Sequence, residues 1–404
     1  MRLVRILPLF LGATLLAESP PVMRDTSTPA LIAEAKVFLA KENPEPIYKG
    51  TGKKRVLIGK ETLRVTISPS GKLRLVRLSF LHKQRIVFVK TKNGKRKRTI
   101  TVTELASVFP PECSAEKIGG GGVNANYRIA CDAVEEIVLA GKELLTDGKP
   151  PWRSVVYIPY SDALATNDVV LLGDAHLRRE IGIAVAELRR KKVYSLAVPK
   201  KLVVDVIPEE IPYLLGLIEH IDHNEYKERG PYYMMRKVLT QLGVNGPDTF
   251  LYSKSKGAGA LCLMQIMPST YREIRRLYAG AKLPTSAVIG SCSEHSLAIQ
   301  VAYLVLDSKL KDMPTSFQKK FQDDPRGYGF YLAAAYNGGQ ARASGLYLAE
   351  QNKNLGVLDV IGNLFERLAE KKEKRALGRI LREETWVFVK KYFELSNIPD
   401  ANGE

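Results

Sequence analysis

The sequence predicts an α+β protein, with a basic β-rich N-terminal part and a mainly α-helical C-terminal part. Three observations predict it. Between residues 54 and 103, apolar and polar residues alternate with period two and are broken by turn signals. From about Leu202 onward, apolar residues recur at helical spacing. Charge divides the chain in the same way: the formal net charge is +18, and residues 51 to 105 hold 16 Lys and Arg against only Glu61 and Glu104. The 404 residues suffice for two or three domains, each with its own core.

Met1-Arg2-Leu3-Val4-Arg5 is basic, Ile6 to Ala17 is a short apolar run, and Glu18-Ser19-Pro20-Pro21 follows. This is the layout of a secretory signal peptide over residues 1–17, too short to span a bilayer. The remainder is expected to be exported to the periplasm or cell envelope with no integral membrane segment. Thr28 to Glu42 predicts a helix, with Thr28 and Pro29 at its start and Leu31, Ala35, Phe38 and Leu39 on one face. Leu63, Val65 and Ile67 predict a strand, Ser68-Pro69-Ser70-Gly71 a turn, and Leu73 to Phe80 the next strand. Arg85 to Lys90 and Arg98 to Val102 flank Lys92-Asn93-Gly94-Lys95, a hairpin signal. Residues 18–110 are therefore expected to form a basic β-rich domain preceded by a helix. Its surplus of charge suits an anionic envelope partner: peptidoglycan peptides, teichoic acid, lipopolysaccharide or acidic lipid. The leader argues against nucleic acid. The competing reading is a solvated face whose lysines keep strand edges apart.

Residues 111–200 predict a mixed α/β linker region. Gly119 to Gly122 are a flexible run, Cys131 to Leu145 a helix, Val155 to Tyr157 a strand, and Ala175 to Lys192 an amphipathic helix. Residues 201–404 predict the helical domain, through Ile211 to Glu219, Ser296–Leu310, Tyr328–Ala335, Val357–Leu368 and Glu384–Phe393. The four cysteines, Cys113, Cys131, Cys262 and Cys292, suggest disulfides in an exported chain. Three pairings are open; neighbours in sequence would give Cys113–Cys131 and Cys262–Cys292.

Five segments carry the chemical signal. Glu219 is a carboxylate at the end of the apolar run Ile211 to Ile218. Burial there raises a carboxyl pKa, which a general acid needs near neutral pH. Gly259-Ala260-Leu261-Cys262-Leu263-Met264-Gln265-Ile266-Met267-Pro268-Ser269-Thr270 follows, a tight loop ending in a helix start with Ser269 or Thr270 as cap. Then come Tyr303-Leu304, Ala333-Ala334-Ala335-Tyr336-Asn337-Gly338-Gly339 and Glu384-Thr385-Trp386-Val387-Phe388-Val389.

In this order the segments resemble those of the lytic transglycosylases that cut bacterial peptidoglycan. The departures are His220 after the Glu where Ser or another small residue is usual, Cys262 for Gly, Gly338 for Ala and Trp386 for Arg. The stretch Asn224 to Phe250 looks like an insertion. The resemblance covers about residues 205 to 395 and implies a lysozyme-like helical domain with a glycan cleft. It implies Glu219 as the single general acid and base, with Met264, Gln265, Tyr336 and Asn337 binding substrate. Gln265 and Tyr336 would supply hydrogen bonds and Met264 an apolar sugar contact. It also implies cleavage between N-acetylmuramic acid and N-acetylglucosamine with a 1,6-anhydro product and no cofactor. Glu225 and Glu228 are the rival acids. His220, Asp222 and His223 could suggest a metal, but no third ligand cluster accompanies them. Two alternatives stand beside the enzyme: a hydrolytic muramidase resembling goose-type lysozyme, and an inactive peptidoglycan-binding or secretion-associated scaffold.

Overall fold

The computed structural model describes residues 27–51, 55–91, 94–119, 125–145, 153–251, 259–285, 292, 294–351 and 383–398. The expected leader, most of the Gly119–Gly122 run and the helix expected over Val357–Leu368 lie outside these residues. A mostly antiparallel sheet and a set of helices make up the rest, as an α+β reading requires.

Helix α1 (Thr28–Ala40) has proline in its first turn. Eight strands follow: β1 (Pro46–Lys49), β2 (Val56–Ile67), β3 (Leu73–Thr91), β4 (Gly94–Phe109), β5 (Cys113–Gly119), β6 (Asn126–Cys131), β7 (Val134–Leu145) and β8 (Arg153–Tyr157). Their order is β4-β3-β2-β7-β6-β5, with β1 also on β2 and β8 also on β7. Leu63 and Val65 of β2 pack with Ile32, Ala35 and Leu39 of α1 in one core. The alternate residues Thr62, Arg64 and Thr66 are buried too, so β2 is covered on both faces.

Two expectations are corrected. Cys131 to Leu145 is not a helix: a turn at Asp132-Ala133 separates β6 from β7. From Val138 to Leu144 every residue of β7 is buried, Lys142 and Glu143 included, so no alternation of apolar and polar residues marks the strand. The sheet also runs past the expected boundary at residue 110, through β5 to β8. A disulfide between Cys113 and Cys131 ties β5 to β6.

The helical part begins with α2 (Asn167–Arg190), longer at its start than the expected Ala175, and the one-turn α3 (Val203–Val206). Helix α4 (Glu210–Ile218) leads to α5 (His223–Asn245), which kinks where Gly230 takes φ 79° ahead of Pro231. The stretch read as an insertion is thus this helix. It lies against α2 at two glycines: a Cβ on Gly173 would fall 1.8 Å from the Leu239 carbonyl oxygen, and one on Gly243 2.2 Å from that of Val169. Asn245 at its end clamps the sheet, accepting from the Ile158 amide at 2.8 Å and donating to the Ile158 carbonyl at 2.9 Å.

The remaining helices are α6 (Pro268–Leu277), α7 (His295–Lys311), α8 (Thr315–Asp323), α9 (Pro325–Gly338), α10 (Gln340–Gln351) and α11 (Glu383–Ser396). Neither Ser269 nor Thr270 caps α6; it starts at Pro268, whose fixed φ suits the first helical position. Helix α7 is buried nearly all round, including Tyr303 and Leu304, which are core residues. Among the described residues no helix is long and apolar enough to cross a membrane.

Candidate active site

Helix α4 buries seven of its nine residues, from Ile211 to Ile218, and Glu219 is its C-cap. The carboxyl opens into a cleft of about 360 Å³ shared with Asp222, Asn337, Glu384 and Lys391. Burial raises the Glu219 pKa to about 8; the Lys391 charge works against this and that of Glu384 with it. Among the described residues, none donates a hydrogen bond to this carboxyl or forms an ion pair with it.

Lys391, 6% exposed, donates to the Ile221 carbonyl at 2.6 Å. An ammonium is favoured at the C-terminal end of a helix. Burial lowers its pKa to about 8, against the charges of Asp222 and Glu219. Sequence reasoning passed over Lys391 because its bonded partner is a backbone carbonyl. The available signal was its spacing, two helical turns beyond Glu384 on α11.

The loop from Leu261 to Ile266 closes on itself, with Leu261 and Ile266 exchanging backbone hydrogen bonds at 3.2 and 3.0 Å. Cys262 and Gln265 hold φ of 65° and 44°, the left-handed region that favours glycine. This accounts for one departure from the resembled motif. Cys262 occupies a glycine-like conformation and is tied to Cys292 by a disulfide.

Three successive carbonyls of this loop are held from three directions. The Gln265 side-chain amide donates to the Cys262 carbonyl at 2.8 Å. The Nε2 of His220 donates to the Leu263 carbonyl at 2.8 Å, and the Tyr336 hydroxyl to the Met264 carbonyl at 2.8 Å. His220 is stacked on Phe250 with ring centroids 3.4 Å apart, and burial pushes its pKa down to about 3, so it is neutral. The second departure, His220 for Ser, therefore braces the loop. Burial, helped by the Glu219 charge, raises the Tyr336 pKa well above its usual value.

The third departure is Gly338. A Cβ there would lie 2.6 Å from the Thr385 Oγ1, so glycine lets α9 meet α11. The close contact sets Asn337 and Glu384 on the same cleft. Trp386, the fourth, is a core residue at 5% exposure.

One assigned contact is corrected. Met264 is fully buried, its sulfur 3.6 Å from where a Cβ on Gly216 would sit, so its side chain meets the core and not a sugar. The rival acids are elsewhere. Glu225 is paired with Lys237 at 2.5 Å, and Glu228 is exposed on α5. The Asp222 carboxylate caps α5, accepting from the amides of Asn224 and Glu225 at 2.9 and 3.0 Å. A larger cavity of about 650 Å³ lies at the other ends of α4, α9 and α11, but Glu219, Met264, Gln265, Tyr336 and Asn337 do not line it.

Compared with known proteins, the chain matches no protein-family model, no curated protein and no solved structure.

Proposed function

We propose that the chain is a peptidoglycan lytic transglycosylase acting in the envelope of an exporting cell. It cleaves the bond between N-acetylmuramic acid and N-acetylglucosamine in glycan strands. The observation that carries the reading is Glu219, an acid held protonated near neutral pH at the wall of a cleft.

In this reading the Glu219 proton passes to the glycosidic oxygen as the bond from that oxygen to the muramic acid C1 breaks. The hydroxyl formed leaves with the glucosamine unit. The Glu219 carboxylate then takes the proton of the muramic acid C6 hydroxyl as O6 bonds to C1, closing the 1,6-anhydro ring. The proton is back on Glu219, and no water is consumed. Lys391 places positive charge beside the transient carboxylate. Asn337 and Glu384 offer polar groups at the rim. Tyr336 orients the loop through the Met264 carbonyl, at 2.8 Å.

A hydrolytic muramidase needs a second carboxylate to activate water or attack C1. Asp222 lines the cleft, but its Oδ1 is engaged by two helix amides. The reading is tested by incubating purified cell walls with the full chain and with Glu219→Gln. Wild type is expected to release soluble fragments, and the variant none while still binding walls. Release by neither would leave the scaffold reading.

A further inference from the structure

The larger cavity, of about 650 Å³, has no part in the reading given to Glu219, and its size is that of a ligand pocket. Three helices join it to the cleft. Helix α4 starts with Glu210 at the cavity and is closed by Glu219 at the cleft. Helix α9 has Arg326 at the cavity and Asn337 at the cleft. Helix α11 runs the other way, with Glu384 at the cleft and Leu395 and Ser396 at the cavity. The three meet at Gly329, where a Cβ would fall 2.4 Å from the Tyr392 hydroxyl and 3.4 Å from the Ile211 Cδ1.

The cavity floor is apolar: Ile181, Ile211, Leu214, Met235, Tyr392 and Leu395 line it, and all are buried. One wall is fixed by the buried Asp174, which accepts from the Tyr213 hydroxyl at 2.6 Å and from the Arg178 Nε at 2.9 Å. Charges of both signs stand at the mouth. Glu209 and Glu210 are exposed side by side, and among the described residues neither carboxylate has an ion pair or a hydrogen bond. Arg326 is exposed too and has no ion pair among the described residues. One of its nitrogens donates to the Ser396 carbonyl at 3.4 Å, which leaves its other donors unused. The neighbouring Asp324 is turned to the cap of α9, accepting from the Gly327 amide at 2.9 Å.

Acids are ordinary in the first turn of a helix, but an arginine in the first turn of α9 lies at the positive end of the helix dipole. Helix end and guanidinium together make a place for an anion. The two glutamates make a place for a cation, across one apolar floor. Opposite charges that share a mouth and do not pair with each other suit a ligand that carries both. A short peptide with free ends has an ammonium, a carboxylate and an apolar side chain between them. Asn397 at the mouth donates to the Phe393 carbonyl at 2.7 Å, so its own side-chain oxygen is left to accept from a peptide N–H.

We infer that this cavity binds a short peptide with free ends, its ammonium at Glu209 and Glu210 and its carboxylate at Arg326. The bound peptide touches the far ends of the three helices that place Glu219, Asn337 and Glu384, and so stabilises the folded chain. The inference does not rest on the reaction proposed at the cleft.

The test titrates the full chain with the tripeptide alanyl-leucyl-alanine, with its N-acetylated form and with its C-amidated form. Binding is read by calorimetry and by the rise in melting temperature. Wild type is expected to bind the free-ended peptide with a dissociation constant below about 1 mM, and each blocked form at least about tenfold more weakly. With Glu209→Gln and Glu210→Gln together, acetylation should no longer matter while amidation still weakens binding. With Arg326→Gln the two effects should exchange. All three residues are exposed, so the substitutions leave the core intact. No binding by wild type, equal binding of the three peptides, or variants that keep both preferences would each overturn the inference. The comparison of the three peptides on wild type decides even where a variant does not fold.

Discussion

The sheet and the cleft both bury charged side chains, and they treat them in opposite ways. Arg64, 1% exposed in the sheet, donates to the Thr62 hydroxyl at 2.6 Å, the Leu63 carbonyl at 2.8 Å and the Glu143 carboxylate at 2.6 Å. Thr66 donates to Glu136 beside it. Glu219 lies in the cleft with no hydrogen-bond donor to its carboxyl among the described residues, and burial keeps its proton on. A buried charge with its partners specifies a strand arrangement. A buried acid without them is a proton held ready to leave, at a cost to the fold.

The contrast breaks first on stability. Arg64→Met leaves Glu143 without its guanidinium and is expected to destabilise the chain by about 3–5 kcal/mol in urea unfolding. Glu219→Gln should act in the opposite direction. The folded pKa of about 8 lies above the ordinary carboxyl value of 4.5. The stability from Glu219 is therefore fully present below pH 4.5 and is lost as pH rises through 8. Glutamine has no such dependence, so at pH 7 the variant should be more stable by about 1–3 kcal/mol. A variant less stable than wild type at pH 7 would remove the premise that the acid is strained.

A buried histidine pair sharpens the comparison at low pH. His176 Nε2 and His295 Nδ1 are 3.0 Å apart, and His295 Nε2 donates to the Thr249 carbonyl at 2.9 Å. That carbonyl directly precedes Phe250, on which His220 is stacked. Burial lowers the His176 pKa to about 4, so its contribution is present above the unfolded value of 6.5 and is lost as pH falls toward 4. Melting curves between these values should show a loss of about 2 kcal/mol that His176→Gln removes. Tyr336→Phe should be the mildest change, removing one hydrogen bond to the loop and costing about tenfold in activity and about 1 kcal/mol.

How much of this was legible depended on what each residue faces. The helices α1, α4, α7, α9 and α11 were readable because apolar residues recur in each at helical spacing. Strand β7 was not, since a strand buried on both faces loses the alternation that identifies it. Glu219 could be chosen because an acid closing an apolar run is unusual. Arg64 was one of 16 basic residues in its segment, and nothing local marks the one that is buried. The bracing of the loop by His220 and Tyr336 was hidden for a different reason: both bonds end on backbone carbonyls, which have no letter in the sequence.

The central claim is that Glu219 alone serves as acid and then as base, with the sugar's own C6 hydroxyl in place of water. It is tested most directly by the mass of the fragments that the full chain releases from purified cell walls. The fragments are expected to carry 1,6-anhydro ends, each lighter by one water than the corresponding hydrolysis product, with the rate falling as pH rises through about 8 and no release by Glu219→Gln. Hydrated ends, or near-normal release by Glu219→Gln, would contradict it.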